Sequence, residues 1–106
     1  MNQSDSNQCI SIINKDLGLD QEESLPEIVV SNDHILEENL TKVVQYLINT
    51  DFNRLVNAMY RIDIPEIEFK LTLETSDPDH LANEIAKKVI ARALQKLEIR
   101  KKYSSK

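Results

Sequence analysis

One glycine, Gly18, is present in the 106 residues of this chain. Glycine is the residue that adopts positive φ angles without steric cost, and tight β-hairpin turns and glycine-rich phosphate-binding loops both depend on it. Because no glycine follows position 18, the sequence favours neither a hairpin-rich all-β fold nor a nucleotide cradle. The length fits a single domain. The hydrophobic fraction of 41% is that of a chain with a folded core.

The sequence predicts neither a membrane span nor a secretion signal. No unbroken apolar run is longer than three residues, as at 28–30, whereas a transmembrane helix needs about 18. Residues 1–5 carry no basic patch, and no apolar stretch of the kind found in signal peptides follows them. A single cysteine, Cys9, allows neither an internal disulfide nor a cysteine-cluster zinc site. We therefore expect a cytoplasmic protein that does not contact the membrane.

The polar start of the chain differs in composition from the rest. Residues 1–24 are rich in Asn, Gln, Ser and Asp and hold only two small apolar groups, at 9–13 and 17–19. A segment of this kind buries too little apolar surface to offset an ordering cost of about 1–2 kcal/mol per residue. We predict a disordered polar tail over 1–24 and a single helical domain over 25–103.

Apolar residues at helical spacing predict three helices. The first carries its apolar face over 36–47, and the second follows Asp51, whose side chain can cap it. The last follows Asp77 as a cap and Pro78 at the first helical position, and continues to about Tyr103. Five side chains are predicted for the core: Leu40, Val44, Leu55, Met59 and Ile85.

The segment 64–75 carries two conflicting patterns. Asp63 followed by Pro65 and Glu66 is typical of a helix start, with Asp63 as its cap. The alternating apolar residues over 67–73 are typical of a strand. A lone strand has nothing to pair with in a helical domain, so we predict a helix and keep the strand as the alternative. The expected fold class is all-α: a small three- to four-helix bundle with a flexible N-terminal tail.

The segment 46–63 resembles the hallmark of a family of small, uncharacterised bacterial proteins. Members of that family carry an Asp-Phe-Asn segment, here at 51–53, and a Tyr-Arg-Ile-Asp segment, here at 60–63. The similarity covers about 40–97 and includes Ala-Arg-Ala-Leu-Gln-Lys at 91–96. The resemblance implies a bacterial protein with a helix after the Tyr-Arg-Ile-Asp segment, and it implies no known activity.

Charge is distributed unevenly along the chain. Residues 1–86 hold 5 basic and 17 acidic side chains, whereas residues 87–106 hold 8 basic and 1 acidic. The basic end could contact phosphate or an acidic partner. Alternatively, the cations offset the negative end of the helix dipole and the acidic remainder of the chain. We favour the second interpretation, since a net-acidic chain with few aromatic residues is unlike most nucleic-acid binders.

Candidates for chemistry are few. Cys9 falls in the polar tail, where nothing fixed can lower its pKa or place a base beside it. His80 and Glu84 share a helix face behind the acidic residues at 77–79, but His34 is far away in sequence, so no pair of histidines has ligand spacing. We predict no catalytic residue, no metal site and no cofactor.

An interface is the remaining functional hypothesis. Tyr60 and Arg61 are of residue types that dominate interfaces. The interpretation that we favour makes Phe52 and Tyr60 core anchors, with Arg54 or Arg61 bridging Asp51 and Asp63 across the turns. The last helix is longer than the others, so its final turns should extend beyond the domain core. The candidate interface residues are Tyr60, Arg61, Leu94, Leu97, Arg100 and Lys101. We predict a non-enzymatic protein-interaction module or small homo-oligomer, with a nucleic-acid-associated accessory protein that uses the basic C-terminal helix as the alternative.

Overall fold

The structure, a computed structural model, describes residues 3–19, 25 and 33–104. Within these residues the chain forms five α-helices and no strand. The helices are α1 Gln3–Asp16, α2 Asp33–Thr50, α3 Phe52–Arg61, α4 Glu66–Thr75 and α5 Leu81–Ser104. The prediction of an all-α bundle is confirmed, and the ambiguous segment before α5 is a helix.

Helix α5 is the central element, and it packs against α1, α2 and α4. Its buried stripe repeats every four residues, through Ile85, Val89, Ala93 and Leu97, which are at most 3% exposed. At a rise of about 1.5 Å per residue, its 24 residues span about 36 Å. The length of α5 therefore allows several helices to pack along it.

Helices α2 and α3 follow their predicted patterns. The Asp51 side chain accepts a hydrogen bond from the Arg54 backbone N–H at 3.2 Å, and so caps α3 as expected. Burial also agrees with the sequence. The five side chains predicted for the core, Leu40, Val44, Leu55, Met59 and Ile85, are all buried.

The disordered tail predicted for residues 1–24 is wrong over residues 3–19, which form α1 and its C-terminal turn. The buried side chains of this segment are Cys9, Ile10, Ile12, Ile13 and Leu17. The two small apolar groups become one face when the segment is helical, and α5 supplies the surface that buries this face. The helical domain therefore includes α1, while residues 1–2 and 20–24 lie outside the described part of the chain.

The only glycine ends α1. Gly18 has φ +61°, the left-handed conformation that glycine adopts without strain. The Gly18 N–H donates to the Lys15 carbonyl at 3.1 Å, and the Leu19 N–H donates to the Asn14 carbonyl at 3.0 Å. These two bonds form the Schellman motif that ends many helices.

The same motif ends α3, with aspartate in the left-handed position. Asp63 has φ +66°, and its N–H donates to the Tyr60 carbonyl at 3.2 Å. The Ile64 N–H donates to the Met59 carbonyl at 3.0 Å. Asp63 therefore terminates α3, and the prediction that it caps the following helix is wrong. The left-handed residue turns the chain so that α4 begins three residues later.

Helix α5 begins later than predicted. Asp77 organises a turn in which its Oδ1 accepts from the Asp79 N–H at 3.0 Å, and its carbonyl accepts from the His80 N–H at 2.8 Å. Pro78 lies in this turn, and the helix starts at Leu81. Asp77 therefore caps the turn that precedes α5 and not the helix itself.

Substitutions at Gly18 and Asp63, the two residues described with positive φ, are expected to affect stability differently. We expect Gly18→Ala to lower the free energy of unfolding by about 1–2 kcal/mol, because a Cβ is strained at this φ. That Cβ would also lie 3.1 Å from the Arg61 guanidinium. Asp63→Gly relieves the strain at φ +66° but removes the carboxylate beside Arg92, so it should change stability by no more than about 1 kcal/mol in either direction. Urea unfolding measures both, and a Gly18→Ala variant as stable as the wild type would contradict the observed end of α1.

Candidate interaction surface

The basic side chains of α5 face acidic side chains of the same chain. The Lys88 Nζ lies 3.0 Å from a Glu68 carboxylate oxygen on α4, and the Lys96 Nζ lies 2.8 Å from the Asp16 carboxylate at the end of α1. The second pair is sheltered, with side chains 21% and 17% exposed. These ion pairs join α5 to the two helices beside it.

Two α5 cations also satisfy carbonyl groups at the end of α3. The Arg92 Nε donates to the Ile62 carbonyl at 3.2 Å, and the Arg92 Nη2 lies 3.7 Å from the Asp63 carboxylate. The Lys96 Nζ donates to the Arg61 carbonyl at 3.2 Å. The last carbonyls of a helix have no intrahelical donor and carry partial negative charge, so nearby cations stabilise them. Part of the basic end of the sequence is therefore used inside the fold.

A polar cleft of about 580 Å³ lies between α5, α4 and the turn that joins α3 to α4. Its charged lining residues are Asp63, Glu68, Glu84, Lys87, Lys88 and Arg92. Three cations face three anions, and each cation lies within 4 Å of one of the acidic side chains. Because the lining charges balance one another, the cleft has no excess charge to attract a phosphate or a metal ion.

Leu94 and Leu97 do not extend beyond the core, contrary to our prediction, whereas residues 98–103 of α5 are all exposed. Leu97 is 3% exposed, and Leu94 is partly buried against the core. Helix α1 packs along α5, and Lys101 near the end of α5 pairs with Asp5 near the start of α1. Arg100 is exposed. The sequence prediction failed at Leu94 and Leu97 because it placed no helix in the segment that covers them.

Tyr60 and Arg61 point to different surroundings. Tyr60 is 57% exposed and borders a pocket between α3 and α4, so it is not a core anchor. The Arg61 guanidinium lies next to Gly18, at the end of α1. Of these two candidate interface residues, Tyr60 is the one that lies on an apolar surface.

Four exposed apolar side chains lie on α3 and α4, two on each helix. Phe52 is 39% exposed and Tyr60 57% on α3, and Ile67 is 81% exposed and Leu71 57% on α4. We call these four side chains, together with the pocket between the two helices, the α3–α4 face. The other large exposed apolar side chains of the described residues lie on α2 and on the last turns of α5.

The pocket of the α3–α4 face has a volume of about 150 Å³. Its apolar lining residues are Phe52, Val56, Met59, Tyr60, Ile64, Phe69 and Leu73. Phe52 and Phe69 stack with ring centroids 6.4 Å apart and close one side of it. An apolar cavity of this size holds a group about as large as benzene. The pocket can therefore accept one aliphatic or aromatic side chain.

The sequence of α4 explains why it is apolar on two sides. Side chains two residues apart lie on one face of a strand but about 200° apart around a helix. Because the segment is helical, its alternating apolar residues do not share one face. Phe69 and Leu73 point towards the core, and Ile67 and Leu71 are exposed on the outer side.

Neither a metal cluster nor a membrane-spanning helix accompanies this surface among the described residues. Among the described residues, no group of three or more His, Cys, Asp or Glu side chains is placed to hold a metal ion. No helix in that part of the chain is long and apolar enough to cross a membrane. The chain matches no protein-family model, no curated protein and no solved structure. The family resemblance over 40–97 stays a prediction.

The role of the α5 cations can be measured by a double-mutant cycle. We expect the Asp16–Lys96 pair to contribute about 1 kcal/mol to stability, because both side chains are sheltered from water. The matched control is the Glu66–Lys70 pair, 55% and 65% exposed, which should contribute no more than about 0.5 kcal/mol. Asp16→Asn, Lys96→Met and the double variant are compared by urea unfolding. A coupling no larger than that of the control would contradict the role of Lys96 in holding α1.

Proposed function

We propose that this protein is a non-enzymatic protein-interaction module that binds its partner through the α3–α4 face. The observation that carries this proposal is the outer side of α4, where Ile67 is 81% and Leu71 57% exposed. Single exposed apolar residues are ordinary, whereas a group of them beside an apolar pocket is typical of an interface. Tyr60, a residue type common at the centre of interfaces, is exposed on α3 and lines the pocket between α3 and α4.

The size of this surface indicates how strongly it can bind. If a fully exposed large apolar side chain presents roughly 200 Å², the four side chains together expose on the order of 500 Å². Burying that area contributes about 12 kcal/mol at roughly 25 cal/mol per Å². Association costs about 4–15 kcal/mol in lost motion, so the surplus is at most about 8 kcal/mol. This upper limit corresponds to a micromolar Kd, so the surface supports an association that is micromolar or weaker and dissociates readily.

The charges of α5 support a protein partner over a nucleic acid. Affinity for nucleic acid depends on cations that are available to neutralise phosphates. Lys88, Arg92 and Lys96 each lie within 4 Å of an acidic side chain of the chain itself. A phosphate backbone would have to displace those carboxylates, whereas a partner on the α3–α4 face leaves them in place.

Site-specific photocrosslinking in the cells that make the protein tests the proposal. A photoreactive phenylalanine analogue replaces Leu71 in one variant and Lys42, an exposed residue of α2, in a control. We expect covalent adducts with protein at position 71 and a signal at least about tenfold weaker at position 42. Equal adducts at both positions, or none at position 71, would contradict the α3–α4 face as the binding surface.

A further inference from the structure

We propose that the α3–α4 face binds a basic segment of another protein, with one apolar side chain of that segment in the pocket and its lysine or arginine side chains against the carboxylates of α4. This inference rests on the proposed function, because it names the chemistry of the partner that the same surface binds. Such a segment complements the face in polarity at the pocket and in charge around it.

The pocket between α3 and α4 is suited to one apolar side chain. Its volume is about 150 Å³, and apart from Glu66 and Lys70 the described residues that line it are apolar or aromatic. Those two charged side chains pair with each other, with the Lys70 Nζ 3.3 Å from a carboxylate oxygen. A side chain that enters the pocket therefore gains mainly from apolar contact, which selects an aliphatic or aromatic anchor.

The segment that forms α3, α4 and the turns beside them is acidic. Residues 51–79 hold seven acidic and three basic side chains. Two of the three basic side chains lie towards α1, since Arg54 donates to the Gly18 carbonyl and the Arg61 guanidinium lies next to Gly18. The third, Lys70, is paired within the pocket lining. The basic residues of this segment therefore leave most of its carboxylates uncompensated.

The negative charge is strongest at the end of α4. Glu74 is exposed in the last turn of α4, and Asp77 and Asp79 are exposed in the turn that follows. Within the described part of the chain, no basic side chain pairs with any of these three carboxylates. The last turn of α4 also contains no basic residue, although the last carbonyls of a helix carry partial negative charge. A cation of a partner is therefore attracted both by the carboxylates and by the helix end.

Glu74 links the pocket to the outer side of α4. It follows Lys70, which lines the pocket, by four residues and the exposed Leu71 by three, and side chains at these spacings are neighbours on a helix. A partner segment with its anchor in the pocket therefore has a carboxylate and an exposed leucine beside it. The acidic charge of the chain up to residue 86 also repels acidic partners and speeds the encounter with basic ones.

Selection from displayed random peptides tests the chemistry of the partner. The peptides have about 12 residues, because a helix of that length spans about 18 Å and α4 spans about 15 Å. Peptides enriched on the wild-type chain should carry a net positive charge and a large apolar side chain. The enrichment should be lost on the Glu66→Lys, Glu74→Lys double variant. It should be kept on Glu38→Lys, Glu98→Lys, a control with the same change in net charge away from the face. All four glutamates are exposed, so both variants should keep the helical circular dichroism of the wild type.

Titration of the ¹⁵N-labelled protein with one enriched peptide locates the binding. We expect the largest amide shift changes around the pocket, at Met59, Phe69 and Leu73. Replacing the apolar anchor of the peptide by serine should weaken binding at least about tenfold. Raising NaCl from about 50 to about 500 mM should weaken it at least about threefold, because salt screens exposed charges.

Each outcome separates the basic partner from the broader proposal. The basic segment is overturned as the occupant by an absence of enrichment, by enriched peptides that are neutral or acidic, or by shift changes outside α3 and α4. It is also overturned if the pocket amides shift when the chain alone is concentrated, because a second copy then covers the face. If position 71 crosslinks to another protein in any of these cases, the proposed function stands. If position 71 forms no adduct, both proposals fail.

Discussion

Replacing Leu55 by alanine is expected to lower the free energy of unfolding by about 2–5 kcal/mol. Leu55 is 0% exposed on α3, and α3 packs against both α2 and α4. Removing three carbon atoms from this position leaves a cavity that the neighbouring helices fill only in part. A domain of this size has about 5–15 kcal/mol of total stability, so the variant should lose a large share of it.

Urea unfolding followed by circular dichroism gives the value, and Leu71→Ala is the matched control. Leu71 is the same residue type but is 57% exposed, so its replacement should change stability by no more than about 0.5 kcal/mol. The thermal midpoint of the Leu55 variant should fall by at least about 8 °C. Equal effects at the two positions would mean that α3 does not pack with its observed face inward.

Replacing Ile13 by alanine is expected to lower the free energy of unfolding by about 2–5 kcal/mol, as much as the change at Leu55. Ile13 is 0% exposed on α1 and belongs to the same core as the side chains of α5. This prediction separates an integral α1 from a detached one. A helix that only rests on the domain surface would detach and lose little when one side chain is shortened.

The control for α1 is Ser11→Ala, since Ser11 lies on the exposed side of the same helix. That change should leave stability unchanged or raise it slightly, because alanine is the better helix former. Both variants should unfold in a single transition together with the rest of the domain. A separate early transition for α1, or an Ile13 variant as stable as the wild type, would contradict the five-helix core.

The helices that the sequence predicted well are those with a continuous apolar period. Helix α2 buries Leu36, Leu40 and Leu47 on one face, and α5 repeats its buried residues every four positions over most of its length. A stripe of this kind makes sense only when the segment is helical and one side faces a core. Periodicity therefore identified both the element type and its buried side.

The failure at α1 has a specific physical reason. Burial in α1 depends on a surface far away in sequence, the end of α5, which a local estimate of apolar content does not include. Two signals were present in the chain. The last turns of α5 needed a cover, and Leu17-Gly18-Leu19 has the pattern of a helix C-terminus, with glycine in the left-handed position.

The candidate interface residues lie in different parts of the fold. Tyr60 is exposed on the α3–α4 face, whereas Leu94 and Leu97 belong to the core side of α5. The interface role of Tyr60 stays a prediction. Ile67 and Leu71 were missed, because an alternating sequence does not show which side of a helix faces the core until the helix is placed. The burial of Leu94 and Leu97 and the exposure of Ile67 and Leu71 are both decided by neighbouring helices, which a local sequence pattern does not identify.

The most direct test of the α3–α4 face is the comparison of photocrosslinking at positions 71 and 42 in the cells that make the protein. If a protein partner binds this face as proposed, the photoreactive analogue at position 71 forms covalent adducts with protein, because Leu71 is 57% exposed on the outer side of α4. The control at position 42, on α2, should give a signal at least about tenfold weaker. Adducts of equal intensity at both positions, or none at position 71, would contradict the account.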